Sequence, residues 1–268
     1  MCAKGSLIAW LICCHVGNIC DMMWWFYSKD HRYLLIPYII NYYYHVNLFV
    51  DILFLIILWY IGTRFDKVNE HLEYQLVKEE YNLICSRRKT IPICTDNYKR
   101  VLWTSMHLHL ELYQIARQLN IMFGIQITME LVAYLIVMLR LCNYIYIHIH
   151  TGGRSITSTF NWICLWYWIS VHAAKIIFFN YICETVSDKS SKITVIHRLT
   201  ELCQYADVHN EIHQFMLQIM QHPLKLTGLG LFCFGDSFLR NLVMTVTTFI
   251  IIIMQMSSVP LNKEYNYF

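Results

Sequence analysis

Charge is scarce in this sequence. Asp, Glu, Lys and Arg make up 15% of its 268 residues, where a soluble domain carries about 25%. Glycine and proline are sparse too, at 9 and 4. These shortages exclude a collagen-like chain and a disordered one, which need Gly/Pro-rich repeats or high charge. The 11 cysteines are odd in number and include no C-x-x-C pair, so neither a disulfide scaffold nor a zinc site has a basis. Most of them, such as Cys13, Cys142 and Cys183, lie in apolar runs, where a thiol acts as a small hydrophobe. No G-x-S-x-G, G-x-x-x-x-G-K-[ST] or G-x-G-x-x-G occurs, so no catalytic machinery is visible and neither an enzyme nor a cofactor is expected. A net charge of +3 is too weak and too dispersed for a nucleic-acid partner.

What is present is apolar. AVILMFWYC residues reach 57%, against about 45–50% for soluble domains, and mean hydropathy is +0.39. The expectation is an all-α, polytopic helical membrane protein. Five segments approach the roughly 20 residues a helix needs to cross a bilayer: 7–27, 34–62, 121–149, 160–182 and 241–259. They do not alternate as barrel strands would. The first is interrupted by His15, Asn18 and Asp21, and a secretory signal is its rival reading, although no small-residue cleavage site follows.

Basic residues set the orientation. Lys4, nine Lys/Arg in 61–120 and four in 184–230 fall on one side; Lys29, Arg32, Arg154 and Lys263 fall on the other. The N terminus and both long loops are therefore expected in the cytoplasm, the C terminus outside. The loops are not linkers. Phe65, Val68, Leu72, Leu76 and Leu83 recur at helical spacing, as do Leu102, Met106, Leu110, Tyr113 and Arg117, and again Ile196, Leu199, Cys203, Ile212, Phe215 and Ile219. These predict cytoplasmic anchor helices within about 64–120 and 184–230, attached to one transmembrane domain over 1–268.

Ionisable residues inside spans are costly and usually face protein or water. Glu130, Arg140 and Lys175 are the candidates, with snorkelling an alternative for the two cations. Of 13 histidines, only His209 and His213 have the i,i+4 spacing of a helical metal pair. A lone pair of that kind supports surface or interhelical histidine better than a metal centre. The last span, TVTTFIIIIMQM, places Thr248 and Gln255 seven apart with Ile252 on the same stripe. Gln255 needs a polar partner or water: either it bonds a neighbouring helix, or the stripe lines a pore.

The run Thr248-Phe249, Ile250–Met254, Gln255-Met256 resembles the Thr-Tyr, five apolar, Gln-Phe signature that closes the insect gustatory receptors, relatives of the odorant receptors. LTGLGLFCFGDSFLRNL before it, RFDKVNEHL after the second span, MHLHLELYQIARQLNIMFGIQI before the third and YICETVSDKSSKITVIHRL after the fourth resemble the family in order and spacing. The likeness covers most of 34–259. It implies seven spans, of which these five match the third to the seventh, so an N-terminal truncation is expected. It implies a multi-pass plasma-membrane protein with its N terminus inside, and a ligand-gated, non-selective cation channel built as a homo- or hetero-tetramer with other receptor subunits. Thr248, Ile252, Gln255 and Met256 would line the pore and gate, without cofactor or metal. Small-molecule tastants would bind in the outer half of the bundle, and Tyr42, Tyr43, Tyr134, Arg140, Trp166, Tyr167 and His172 are the candidates there; interfacial aromatic belts in contact with membrane lipid are the competing explanation. The alternatives that stay open are a G-protein-coupled receptor of opposite topology, a membrane enzyme using histidine-bound metal, and a non-functional remnant.

Overall fold

The structure is a computed structural model. It describes residues 36–86, 95–150, 156–191 and 209–258, together with positions 5, 8, 12, 15–20, 22 and 23. From residue 36 on, the described residues form five helices and one small hairpin. These are α1 (Ile36–Ser86), α2 (Thr95–His150), α3 (Ile156–Ser190), α4 (His209–Gln221), β1 (Thr227–Gly228), β2 (Phe232–Cys233) and α5 (Asp236–Ser258). The expected first span, the segment 192–208 and the tail 260–268 lie wholly or largely outside the described residues.

The protein is an all-α polytopic membrane protein. Among the described residues, four stretches are long and apolar enough to cross a bilayer: Val46–Tyr74, Lys99–Asn143, Trp162–Ser190 and Asp236–Gln255. Along α1, Leu48, Asp51, Phe54, Leu58, Ile61, Phe65, Asn69 and Leu72 are buried, a three-four spacing that marks one packed face. The opposite face is apolar too, with Val46, Phe49, Leu53 and Ile56 exposed. In water that surface would be an unmet interaction patch; in a bilayer it is the lipid face. α1 and α2 have 51 and 56 residues, about twice what the hydrocarbon layer requires.

The described residues group into two compact units, one within Met1–Leu53, Gln126–Phe179 and Asp236–Phe268, the other within Phe54–Ile125 and Asn180–Gly235. In the second unit the C-terminal end of α3 is tied down by side chains. Asn69 Nδ2 donates to the Lys189 carbonyl at 2.8 Å, and His109 Nε2 lies 2.8 Å from the Ser190 carbonyl. These satisfy carbonyls that a helix end leaves orphaned. Lys189 also pairs with Asp66 at 2.5 Å. His109 packs between Phe65 and Phe215, with ring centroids 5.2 and 5.8 Å away. His107, two residues earlier, is exposed beside Glu111. At Gly62 a Cβ would come within 2.9 Å of Val186 Cγ2, so only glycine lets α1 and α3 approach this closely.

The hairpin before α5 is a feature that apolar periodicity could not reveal. Thr227 pairs with Cys233 and Gly228 with Phe232. The Leu231 amide donates to the Gly228 carbonyl at 2.9 Å, closing a β-turn within the three-residue connection 229–231, with Leu229 and Gly230 at φ 51° and 74°. Positive φ at both central positions matches the right-handed twist of a tight hairpin. Asn120 receives the Thr227 amide at 3.1 Å, and Asn180 Oδ1 receives the Gly235 amide at 2.8 Å. Both asparagines are helical, on α2 and α3.

Candidate functional site

The first unit buries a charge cluster at membrane depth. Lys175 on α3 points its ammonium at Glu130 on α2, 2.6 Å away. It also pairs with Asp51 on α1 and donates to the Tyr134 hydroxyl. Tyr134 in turn donates to Glu130 one turn earlier. Lys175, Asp51 and Glu130 are each more than nine-tenths buried. Isolated charges would be prohibitive here, so each survives through its partners. Every partner comes from a different helix or a different turn, so the cluster fixes the register of α1, α2 and α3 within this unit.

Aromatic rings stand next to these charges. His172, one turn before Lys175, stacks on Trp168 with centroids 5.6 Å apart and planes at 26°. It sits 4.8 Å from the Tyr134 ring and 5.7 Å from Tyr44. Tyr44 meets Trp168 edge-on at 5.4 Å, and Trp168 meets Tyr167 at 6.0 Å. The Lys175 ammonium lies 4.6 Å from the Tyr134 ring centroid, within cation–π range. Buried His172 Nδ1 has no hydrogen-bond partner among the described residues. The arrangement offers flat apolar walls with a polar ring nitrogen at His172, the chemistry of a small-molecule site.

Of the residues singled out from sequence, Tyr134 and His172 are brought together, with Tyr167 at the edge of the cluster through Trp168. Tyr42 and Trp166 are 65% and 55% exposed, on outward faces of their helices. Arg140 is also exposed, and the Tyr43 side chain lies outside the described residues. Sequence reading missed Tyr44, Asp51 and Trp168 as members. A signal for them existed. Trp168, His172 and Lys175 are spaced i, i+4, i+7, as are Tyr44 and Asp51 at i, i+7, so a stripe drawn through each buried charge selects them. Trp166 is six residues from His172, about 120° around the helix from it.

The proposed pore residues sit on α5. Thr248, Ile252 and Gln255 are exposed on it, and the Met256 side chain lies outside the described residues. Thr245, Thr247 and Thr248 each donate a hydroxyl to the carbonyl four residues back, at 2.8–2.9 Å. Only 6% of the α5 window is buried, against 28–33% for the other three spans. Among the described residues no three His, Cys, Asp or Glu gather where a metal ion could be held.

A family model described as the 7tm Chemosensory receptor matches residues 5–259. No curated protein matches the chain. The solved structure of the insect olfactory receptor OR5 from Machilis hrabei is similar, with a TM-score of 0.65 at 14% identity, over 95% of this chain and 66% of that one. The chain therefore spans slightly less than two thirds of that receptor's length, and at this identity the likeness speaks for the fold.

Proposed function

Because the chain belongs to the 7tm chemosensory receptor family, a family of insect receptors rather than of enzymes, we propose that it is a gustatory receptor subunit of the plasma membrane, forming a ligand-gated, non-selective cation channel. The observation that carries the channel is α5: an apolar span almost wholly unburied, with Thr248, Ile252, Gln255 and Met256 along it. Gln255 gives that apolar span a polar side chain, and copies of α5 around a central axis would line up such groups, with water, along one path. Four subunits, identical or mixed, are the proposed assembly, oriented with the N terminus in the cytoplasm. The taste signature rests on Thr248-Phe249 and Gln255-Met256.

The tastant site we assign is the aromatic cluster of Tyr44, Tyr134, Trp168 and His172, closed at one side by Lys175. Its walls suit a flat, weakly polar molecule whose hydroxyl or carbonyl bonds His172 Nδ1. Patch-clamp recording from cells expressing the receptor, challenged with a panel of bitter compounds and sugars, tests both halves. The expected result is a tastant-evoked current carried by Na⁺ and K⁺ alike. Gln255→Ala should change its amplitude or ion permeability. Trp168→Ala should shift the response curve about tenfold, the loss of one stacked ring and its buried area. An unaltered current in Gln255→Ala removes α5 from the pore; an unmoved response curve in Trp168→Ala removes the cluster from the tastant site.

A further inference from the structure

The second unit contains a groove of about 670 Å³ between α1 and α2. One wall is the α1 stripe Tyr60, Arg64, Lys67, Val68 and His71; the other is the α2 stripe running from Arg100 and Val101 through Thr104 and Ser105 to Leu108 and Leu112. Among the described residues no carboxylate lines it. Asp66 and Lys99, on the same helices, are engaged elsewhere, Asp66 with Lys189 and Lys99 with Glu211. Arg64, Lys67 and Arg100 make no ion pair among the described residues. Arg64 is held in place: its guanidinium bonds the Tyr60 hydroxyl and lies 4.7 Å from that ring's centroid.

The position matters as much as the charge. Between Asp51 and Arg64, α1 carries no charged residue, so Arg64 is the first cation beyond the apolar stretch. From Arg64 to His71 the helix rises about 10 Å, a length comparable with a lipid headgroup layer. Guanidinium and ammonium groups with no ion pair among the described residues, beside Thr104 and Ser105 and the apolar Val68, Val101, Leu108 and Leu112, suit a headgroup that projects from the bilayer and bears phosphate.

We propose that this groove binds the headgroup of a polyanionic membrane phospholipid, one carrying phosphate monoesters. Arg64 and Arg100 grip phosphate from opposite walls, Lys67 adds charge between them, and Thr104 and Ser105 lie beside them on α2. The site is separate from the proposed tastant cluster and does not depend on it.

The test uses the full chain in phosphatidylcholine nanodiscs, titrated with fluorescent dioctanoyl phosphatidylinositol 4,5-bisphosphate. Binding should saturate and weaken as salt is raised from 0.05 to 0.5 M, because screening shortens the reach of each charge. Arg64→Gln with Lys67→Gln and Arg100→Gln should weaken it about tenfold or more. Arg117→Gln with Lys225→Gln should leave it unchanged. Where the triple variant fails to fold, Arg100→Gln alone should still weaken binding. Equal loss in the Arg117/Lys225 control, or no loss in the groove variants, overturns the proposal. So does equally tight binding of soluble inositol 1,4,5-trisphosphate, which would make the ligand a free anion. Efficient cross-linking between copies through Leu108→Cys in the absence of lipid would instead identify the occupant as a second chain and overturn it too.

Discussion

At Lys175 a single ammonium serves Asp51, Glu130 and the Tyr134 hydroxyl. Such a cluster adds little net stability over a well-packed apolar core, but removing one member strands the rest. Lys175→Met should therefore destabilise the protein by about 3–5 kcal/mol, whereas Asp51→Leu, Glu130→Leu and Lys175→Met combined should restore most of the loss. Thermal unfolding in nanodiscs checks both, and a Lys175→Met variant as stable as its parent would mean the cluster does not form. Glu130 and Lys175 were legible in the sequence as charges needing partners; which partners they take was not. Asp51 hides in the run LFVDILF, 124 residues from Lys175, and helical periodicity ranks faces within one helix without saying which faces meet.

Among elements, the helices follow from periodicity and the hairpin does not. The apolar stripe that runs through Phe65 and Leu72 continues the buried face of α1, because a packed face persists wherever the side chains recur every three or four residues. Residues 226–234 read as one more apolar stretch, LTGLGLFCF, and only the turn chemistry separates them from a helix. Leu229 occupies the left-handed region that suits glycine or asparagine, so the usual two-residue signal is half missing. A Cβ at Gly230 would meet nothing within 4 Å, which isolates the backbone effect. Gly230→Ala should cost about 1 kcal/mol, while Leu229→Asn should cost nothing. The comparison is readable by thermal unfolding and by faster hydrogen exchange of the Leu231 amide in Gly230→Ala. Equal behaviour of the two variants would argue against this turn.

On the scale of the whole molecule, the family and the all-α membrane fold were legible because lipid imposes long apolar helices and because the motif order survives drift in single residues. Assembly leaves a weaker trace in one chain: an almost wholly unburied α5 can be covered by lipid or by other subunits. For the proposed tetramer, stepwise photobleaching of labelled receptor in vesicles should give up to four steps, and Gln255→Leu should leave that number unchanged while altering conduction. Single-step bleaching throughout would remove the assembly on which the channel reading stands. The threonines of α5 bear on what can surround it. Thr245, Thr247 and Thr248 satisfy their hydroxyls on their own helix. A hydroxyl bonded within its own helix can face lipid or a neighbouring subunit without an unsatisfied donor, so these three positions place no polar demand on whatever α5 meets.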